Sequence, residues 1–291
     1  MVDVGLAQGL NQLSLTLFTA TAPAGALAYA AVTLIGIKRI PDFKQKERLR
    51  TFLIIPLLFA FLGLIASTNH LGKPANALFV LTGVGRSPLS NEVLATVIFT
   101  GLGWLYWLLG FSERWKLSQL RVLTVIAAIA AVAEVWFTAN AYSINTIATW
   151  SLPFTPVNQV LSACIGAGVI TLFTLKMGWK QLDRPLERRI LVITLALTVA
   201  STAVQIVQWL VLSDMSSAIT NYSVAFPLHP LFILVFALLS IGSCAGGLLG
   251  TRAPQAQLSC KGTAIVLALA MAGILVSRFA FYCTYLTVGI P

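Results

Sequence analysis

A polar stretch at residues 65–94, IASTNHLGKPANALFVLTGVGRSPLSNEVL, separates two strongly apolar runs of the chain. It contains His70, one of only two histidines, and Glu92, one of nine acidic residues. Gly72 and Pro74 follow His70 and are of the types that end helices, so a local turn is expected there. A polar segment confined in this way is typical of a loop that joins two membrane helices.

The composition of the chain is that of an integral membrane protein. Its 291 residues are 58% hydrophobic and 10% charged, with a mean hydropathy of +0.88. Apolar runs of about 20 residues recur, the length that a helix needs to cross a bilayer core of about 30 Å. Backbone polar groups in lipid must be satisfied within their own segment, so these runs are predicted to be helices. The sequence therefore predicts an all-α integral membrane protein whose residues 1–291 form a single polytopic domain.

Eight transmembrane helices are predicted from the apolar runs. The two halves of the chain then hold four spans each in the same orientation, which favours two four-helix bundles. The predicted spans are residues 12–37, 51–68, 93–112, 122–142, 158–176, 190–212, 230–250 and 263–288.

Basic residues are concentrated in alternate connections between the spans. Sixteen of the 19 Lys and Arg lie in one set of four connections, and only two lie in the other set. The positive-inside rule places the basic set in the cytoplasm. Both termini, His70 and His229 are then predicted to lie outside, in the periplasm if the cell is a bacterium. The basic set comprises residues 38–50, 113–121, 176–189 and 251–262.

The cysteines and histidines argue against a metal cofactor in this chain. The four cysteines show no cluster spacing, whereas an iron–sulfur cluster needs about four thiolates brought together. A two-haem cytochrome b needs four histidines, and this chain has two. A single outer haem between His70 and His229 is the remaining arrangement, and neither histidine lies within a predicted span. We therefore expect no haem, no iron–sulfur cluster and no metal site.

Two charged residues lie inside predicted spans, Glu134 in the fourth and Arg278 in the eighth. Charges inside a membrane are costly, so each either neutralises a partner or has a function. At about 1.5 Å per residue, the two lie at similar depth, and a structural ion pair between them is one interpretation. Thr138 follows Glu134 on the same helical face, so a polar stripe that carries protons outward is the other interpretation.

His70 and Glu92 lie near the outer ends of adjacent spans. Ser87 and Pro88 are expected to cap and open the helix that contains Glu92. A carboxylate near a helix N-terminus is favoured by the helix dipole, and a single histidine at a membrane surface also fits a structural role. The functional alternative is that His70 and Glu92 take up the protons released when a quinol is oxidised.

Four blocks of the sequence resemble the membrane-anchor subunit of bacterial dimethyl sulfoxide reductase, the DmsC family. They fall in order across nearly the whole chain, and the distance between H-L-G-x-P and L-S-N-E is their most specific feature. The helices between the blocks align only as apolar sequence. The blocks are I-A-S-T-N-H-L-G-K-P at 65–74, V-G-R-S-P-L-S-N-E at 84–92, S-I-N-T-I-A-T-W at 143–150 and S-R-F-A-F-Y-C-T-Y-L-T-V-G at 277–289.

The resemblance implies a haem-free anchor that binds and oxidises menaquinol near the periplasmic face of the bacterial inner membrane. Its electrons would pass to an iron–sulfur subunit and then to a molybdopterin catalytic subunit in anaerobic respiration, so the chain is not expected to be catalytic alone. The predicted proton path is Glu92, Glu134 and Thr138. The predicted quinol-binding residues are His70, Gly72, Pro74, Arg86, Ser90, Asn91, Glu92, Arg278 and Tyr282.

The sequence departs from the family pattern at three positions, and other functions remain open. Tyr285 stands where the family has His, Asn145 stands where it has Asp, and Glu134 has no counterpart in the pattern. One alternative is a quinol-binding anchor of the NrfD or polysulfide-reductase type. A secondary transporter is an alternative of a different class, because intramembrane charges suit a substrate site. A purely mechanical anchor is the third.

Overall fold

The computed structural model describes residues 4–39, 43–69, 74–112, 117–179, 182–216, 221–253 and 255–285. This part of the protein is helical, and its β structure is limited to an isolated bridge between Ser216 and Asn221. A 3₁₀ helix, Pro74–Gly83, lies within the polar stretch that opens the sequence analysis. The α-helices are α1 (Val4–Asn11), α2 (Leu13–Arg39), α3 (Phe43–Phe52), α4 (Ile54–Asn69), α5 (Pro88–Leu109), α6 (Leu117–Ala141), α7 (Phe154–Gly178), α8 (Arg184–Ser213), α9 (Tyr222–Ala225), α10 (His229–Gly250) and α11 (Cys260–Cys283).

Eight helical segments in the described part are long and apolar enough to cross a membrane, which confirms the predicted all-α membrane fold. They are α2, α3 with α4, α5, α6, α7, α8, α10 and α11. The third span begins at Pro88, earlier than predicted, because Ser87 caps it and accepts a hydrogen bond from the Ser90 backbone N–H at 3.4 Å. Glu92 therefore lies inside a helix, about one turn from its start.

Helix α2 lies at the centre of the packing. Its alanines at 22, 24, 26 and 28 are fully buried, and it packs against α4, α6, α7 and α11. Helices α2, α4, α5 and α6 are neighbours of one another, and so are α7, α8, α10 and α11. Helix α1 packs against α11, so the first and last described residues lie at the same face. The division into two bundles and the outward side of the termini stay predictions.

Glycine at position 25 and a proline inside α2 shape the contacts of α2 with its neighbours. A Cβ atom at Gly25 would lie 2.6 Å from the Pro56 carbonyl oxygen of α4, so only glycine allows this approach. Pro23 lacks a backbone N–H and leaves the Thr19 carbonyl oxygen without its usual helical donor. The Gln159 side chain of α7 donates to that oxygen at 2.8 Å. The proline in α2 thus frees a carbonyl oxygen, and the hydrogen bond that Gln159 donates to this oxygen joins α2 to α7.

We expect Gly25→Ala to destabilise the protein, because the added methyl group meets backbone atoms of α4 that cannot move independently. Overpacking of this kind costs about 1–3 kcal/mol. The measurement is the thermal unfolding midpoint of the purified complex. Gly242→Ala in α10 is the matched control, because a Cβ there meets nothing within 4 Å. An equal or higher midpoint for Gly25→Ala than for Gly242→Ala would contradict the described packing.

Candidate functional site

A cavity of about 250 Å³ lies between α2, α4, the 3₁₀ helix and α5. Its walls are mostly apolar, and Leu15 and Phe18 of α2 form one side. Polar groups reach it at two places, Ser67 and Thr68 near the end of α4 and Glu92 with Tyr142 on the other side. Such a cavity suits a mostly apolar ligand whose few polar atoms are recognised by a small number of fixed groups.

Glu92 belongs to a pair of buried carboxyl groups between α5 and α6. The two helices are antiparallel neighbours, so the Glu92 carboxyl lies near Thr138 while the Glu134 carboxyl lies near Thr96. Glu92 is 1% exposed and Glu134 is 0% exposed. Within the described residues, Glu92 Oε1, both Glu134 carboxyl oxygens and Thr138 Oγ1 have no hydrogen-bond partner. Unsatisfied buried groups of this kind are rare in native proteins and require an explanation.

Arg278 of α11 lies close to Glu92 and does not form the ion pair with Glu134 that its depth allowed. Its Nε donates to Thr19 Oγ1 at 3.3 Å, and its guanidinium carbon lies 4.5 Å from the centre of the Phe281 ring. Arg278 lies within electrostatic range of Glu92. The interpretation of an Arg278–Glu134 pair was wrong, because depth along two helices does not determine which faces meet.

Tyr142 separates the cavity from Arg278. It is 3% exposed, lines the cavity on one side, and packs edge-on against Tyr282 at a ring distance of 5.7 Å. Arg278 and Tyr282 are both buried but do not line the cavity. The sequence analysis missed Tyr142, although its spacing of four and eight residues from Thr138 and Glu134 places it on the same helical face.

The third and fourth sequence blocks meet in space behind Tyr142. Thr149 Oγ1 donates to the Thr284 carbonyl oxygen at 2.6 Å, and Trp150 Nε1 donates to Thr284 Oγ1 at 3.1 Å. Tyr285, which stands where the family has His, packs against Trp150 at a ring distance of 5.4 Å. Asn145 is exposed. These contacts attach the segment before α7 to the end of α11, close to Tyr282.

The loop residues predicted from the second block do not line the cavity. Arg86 is exposed, and its Nη2 donates to the Thr82 carbonyl oxygen at 2.9 Å. Asn91 Oδ1 accepts from the Gly85 backbone N–H at 2.7 Å, which holds the turn formed by Gly85 at φ +81°. Ser90 is buried at the start of α5. Arg86 and Asn91 therefore form hydrogen bonds in the turn that precedes α5. Their role in binding a ligand stays a prediction.

Three predicted residues belong to the first block. His70 and Gly72 lie outside the described residues. Pro74 begins the 3₁₀ helix, and its side chain is also outside the description. Thr68, which lines the cavity, precedes His70 by two residues in the sequence. The predicted site and the observed cavity are thus adjacent along the chain.

His229 was predicted to lie outside the spans, and the structure places it inside a helix. It is the first residue of α10, is 4% exposed, and its Nδ1 lies 2.6 Å from the Tyr222 hydroxyl. Its ring stacks on Phe226 at 5.3 Å. Burial raises the pKa of the Tyr222 hydroxyl, which remains a neutral partner for the imidazole. These contacts give His229 a structural role that joins α9 to α10.

The fold and the cavity define a multi-pass helical membrane protein with an apolar ligand-sized cavity beside buried carboxyl groups. Comparison with protein families narrows this class. Residues 6–284 match the model of the DMSO reductase anchor subunit (DmsC), so the chain belongs to that family. The resemblance found in the sequence blocks is thereby confirmed. An anchor subunit of this kind implies catalytic and electron-transfer partner subunits in addition to the membrane.

Similar proteins cover almost the whole sequence. It is 27% identical to the C subunit of anaerobic dimethyl sulfoxide reductase from Haemophilus influenzae, over 97% of both proteins. It is 25% identical to the YnfH subunit of anaerobic dimethyl sulfoxide reductase from Escherichia coli K12, over 98% of both proteins. It is also 25% identical to the C subunit of anaerobic dimethyl sulfoxide reductase from Escherichia coli K12, again over 98% of both proteins.

We expect Thr149→Val to destabilise the outer part of the site while preserving side-chain shape. The substitution leaves the Thr284 carbonyl oxygen without the Thr149 hydroxyl, and such a loss costs about 1–3 kcal/mol. The thermal midpoint of the purified complex should therefore fall. Thr202→Val is the control, because its hydroxyl bonds only the Thr198 carbonyl oxygen of its own helix turn. Equal midpoints for the two variants would show that the link to α11 contributes nothing.

Proposed function

We propose that this chain binds menaquinol in the cavity beside Glu92 and oxidises it as the membrane subunit of a dimethyl sulfoxide reductase complex. The observation that carries the proposal is a buried carboxyl group at the wall of an otherwise apolar cavity between membrane-spanning helices. A quinol presents an apolar ring with two hydroxyl groups, which matches that combination. Membership of the family of DMSO reductase anchor subunits supports a role in electron transfer.

The quinol enters from the bilayer beside the 3₁₀ helix. Leu78 and Phe79 of that helix are 77% and 69% exposed, so the segment presents apolar side chains to the hydrocarbon region. The ring then occupies the space between Phe18 and Val97, which line opposite sides of the cavity on α2 and α5. This route needs no passage through water, as expected for a lipid-soluble substrate.

His70 and Glu92 act on the two quinol oxygens. His70 hydrogen-bonds one oxygen, and Glu92 or His70 accepts a proton as the quinol is oxidised. Each quinol loses two protons and two electrons to become a quinone. The electrons leave one at a time to an iron–sulfur cluster in the docked partner subunit. That subunit would pass them on to the molybdopterin subunit. The chain provides binding and electrostatics, while the quinol and the partner clusters provide the redox chemistry.

The carboxyl pair supports a route for the released protons. Glu92, Thr138 and Glu134 lie near one another between α5 and α6, and Arg278 is within electrostatic range of Glu92. Toward the inner side, the apolar side chains Phe99 and Ala131, which are both 0% exposed, lie next to these residues, and Thr100 is the next buried polar side chain of α5. In this proposal the protons leave toward the outer side, which the positive-inside rule assigns to the periplasm of a bacterial inner membrane. If acceptor reduction consumes protons on that side, the cycle moves no net charge across the membrane.

We expect His70→Ala and Glu92→Gln each to reduce oxidation of a menaquinol analogue by the intact complex by about 10²–10⁴-fold, the usual contribution of a general base. Acceptor reduction from an artificial donor that bypasses the membrane subunit should remain unchanged. The measurement is the ratio of the two rates, with assembly of the complex checked for each variant.

Asp214→Asn is the matched control for Glu92→Gln. It makes the same change from carboxylate to amide at an exposed position at the outer end of α8, away from the cavity. Quinol oxidation by this variant should equal that of the wild type. Unchanged oxidation in both His70→Ala and Glu92→Gln would refute the site and direct attention to Glu134 and Arg278.

Family membership favours this function over the NrfD-type anchor and over a secondary transporter. A transporter would move its substrate without the partner subunits. Substrate uptake by vesicles that contain only this protein would therefore be evidence for the transporter and against the proposal.

A further inference from the structure

A second cavity lies at the opposite end of the helices from Glu92. It measures about 70 Å³ and is formed by α2, α3, α5 and α6. Arg50 and Arg121 both line it, and none of the described residues that line it is acidic. A cavity of this size has room for several water molecules or a small anionic group. The positive-inside rule predicts that this end of the molecule is cytoplasmic.

The two arginines are held differently. Arg50 is partly buried, and its Nη1 donates to the Gly110 carbonyl oxygen at the end of α5. Arg121 lies near the start of α6 and is exposed at the cavity mouth. A guanidinium group has several N–H donors in one plane, and that geometry matches the oxygens of a phosphate. Arg50 thus provides a fixed charge inside the cavity, and Arg121 provides a second charge at its opening.

An apolar groove begins one helical turn from Arg121. Its volume is about 590 Å³, and it runs along α6 from Val125 to Trp136 with Leu34 of α2 beside it. Val125, Val132 and Trp136 share one helical face with Arg121, because their spacings from it are four, eleven and fifteen residues. At about 1.5 Å per residue, the groove is roughly 17 Å long, close to the thickness of one leaflet.

We propose that the cavity and the groove together bind one anionic phospholipid of the cytoplasmic leaflet. Its phosphate lies between Arg50 and Arg121, and one acyl chain lies along α6 between Val125 and Trp136. The arginine-lined cavity and the apolar groove are adjacent and ordered as the head and tail of a lipid are. Basic pockets between membrane helices on the cytoplasmic side are suited to anionic headgroups. A soluble phosphate would use only the cavity, and a transmembrane helix of a partner would use only the groove.

The test uses the purified complex in phosphatidylcholine nanodiscs, with phosphatidylglycerol as the added probe. Native mass spectrometry counts the bound phosphatidylglycerol, and its apparent affinity is taken from a titration. Arg121→Gln should weaken that affinity about tenfold, the factor that corresponds to the loss of one charge-assisted contact. Arg189→Gln is the matched control, because Arg189 is exposed at the same end of the molecule on α8 and does not line the cavity.

Three comparisons distinguish a bound phospholipid from other occupants of the cavity and the groove. Phosphatidylglycerol with short acyl chains should bind more weakly than the long-chain lipid, and equal binding would refute the role of the groove. Inorganic phosphate should not displace the long-chain lipid, and displacement at low phosphate concentration would assign the cavity to a soluble anion. Equal affinities of wild type and Arg121→Gln would overturn the headgroup site. The thermal unfolding midpoint of the purified complex checks that each variant is folded.

Discussion

The burial of two carboxyl groups between α5 and α6 is the constraint on which the rest of the site depends. Charged or ionisable side chains within a membrane must face the protein interior, since lipid offers them no partner. Glu92 and Glu134 therefore fix which faces of α5 and α6 meet, and the antiparallel pairing brings each glutamate beside a threonine of the other helix. One end of this polar stripe reaches the cavity at Glu92.

The neighbouring helices support this arrangement through a few specific polar contacts. Arg278 of α11 reaches across to Thr19 of α2 and places its charge near Glu92. Pro23 frees the Thr19 carbonyl oxygen, which Gln159 of α7 then satisfies. Two contacts to a single turn of α2 thus connect three helices at the depth of the site. Their position explains why α2 is central to the packing although it contributes no ionisable group to the cavity.

The sequence predicted the helix count, the family and the capped start of the helix that contains Glu92, because apolar length and local capping patterns depend on nearby residues. The cap formed by Ser87 and Pro88 is an example. It did not predict that Arg278 contacts Thr19 and Phe281 instead of pairing with Glu134, since helix rotation and neighbour choice are decided by packing over long sequence distances. Tyr142 was missed for a related reason. Its helical spacing was visible, but its contact with the cavity depends on how α6 meets α2 and α5.

Photo-crosslinking of a naphthoquinone with a diazirine group to the intact complex tests most directly whether the quinol occupies the cavity beside Glu92. Mass spectrometry of the digested protein would locate the modified residues. We expect crosslinks within residues 64–68 of α4 and 89–97 of α5, both abolished by excess unlabelled menaquinone analogue. Competed crosslinks confined to the α6 groove at residues 125–137, with none beside Glu92, would contradict the assignment of the quinol site.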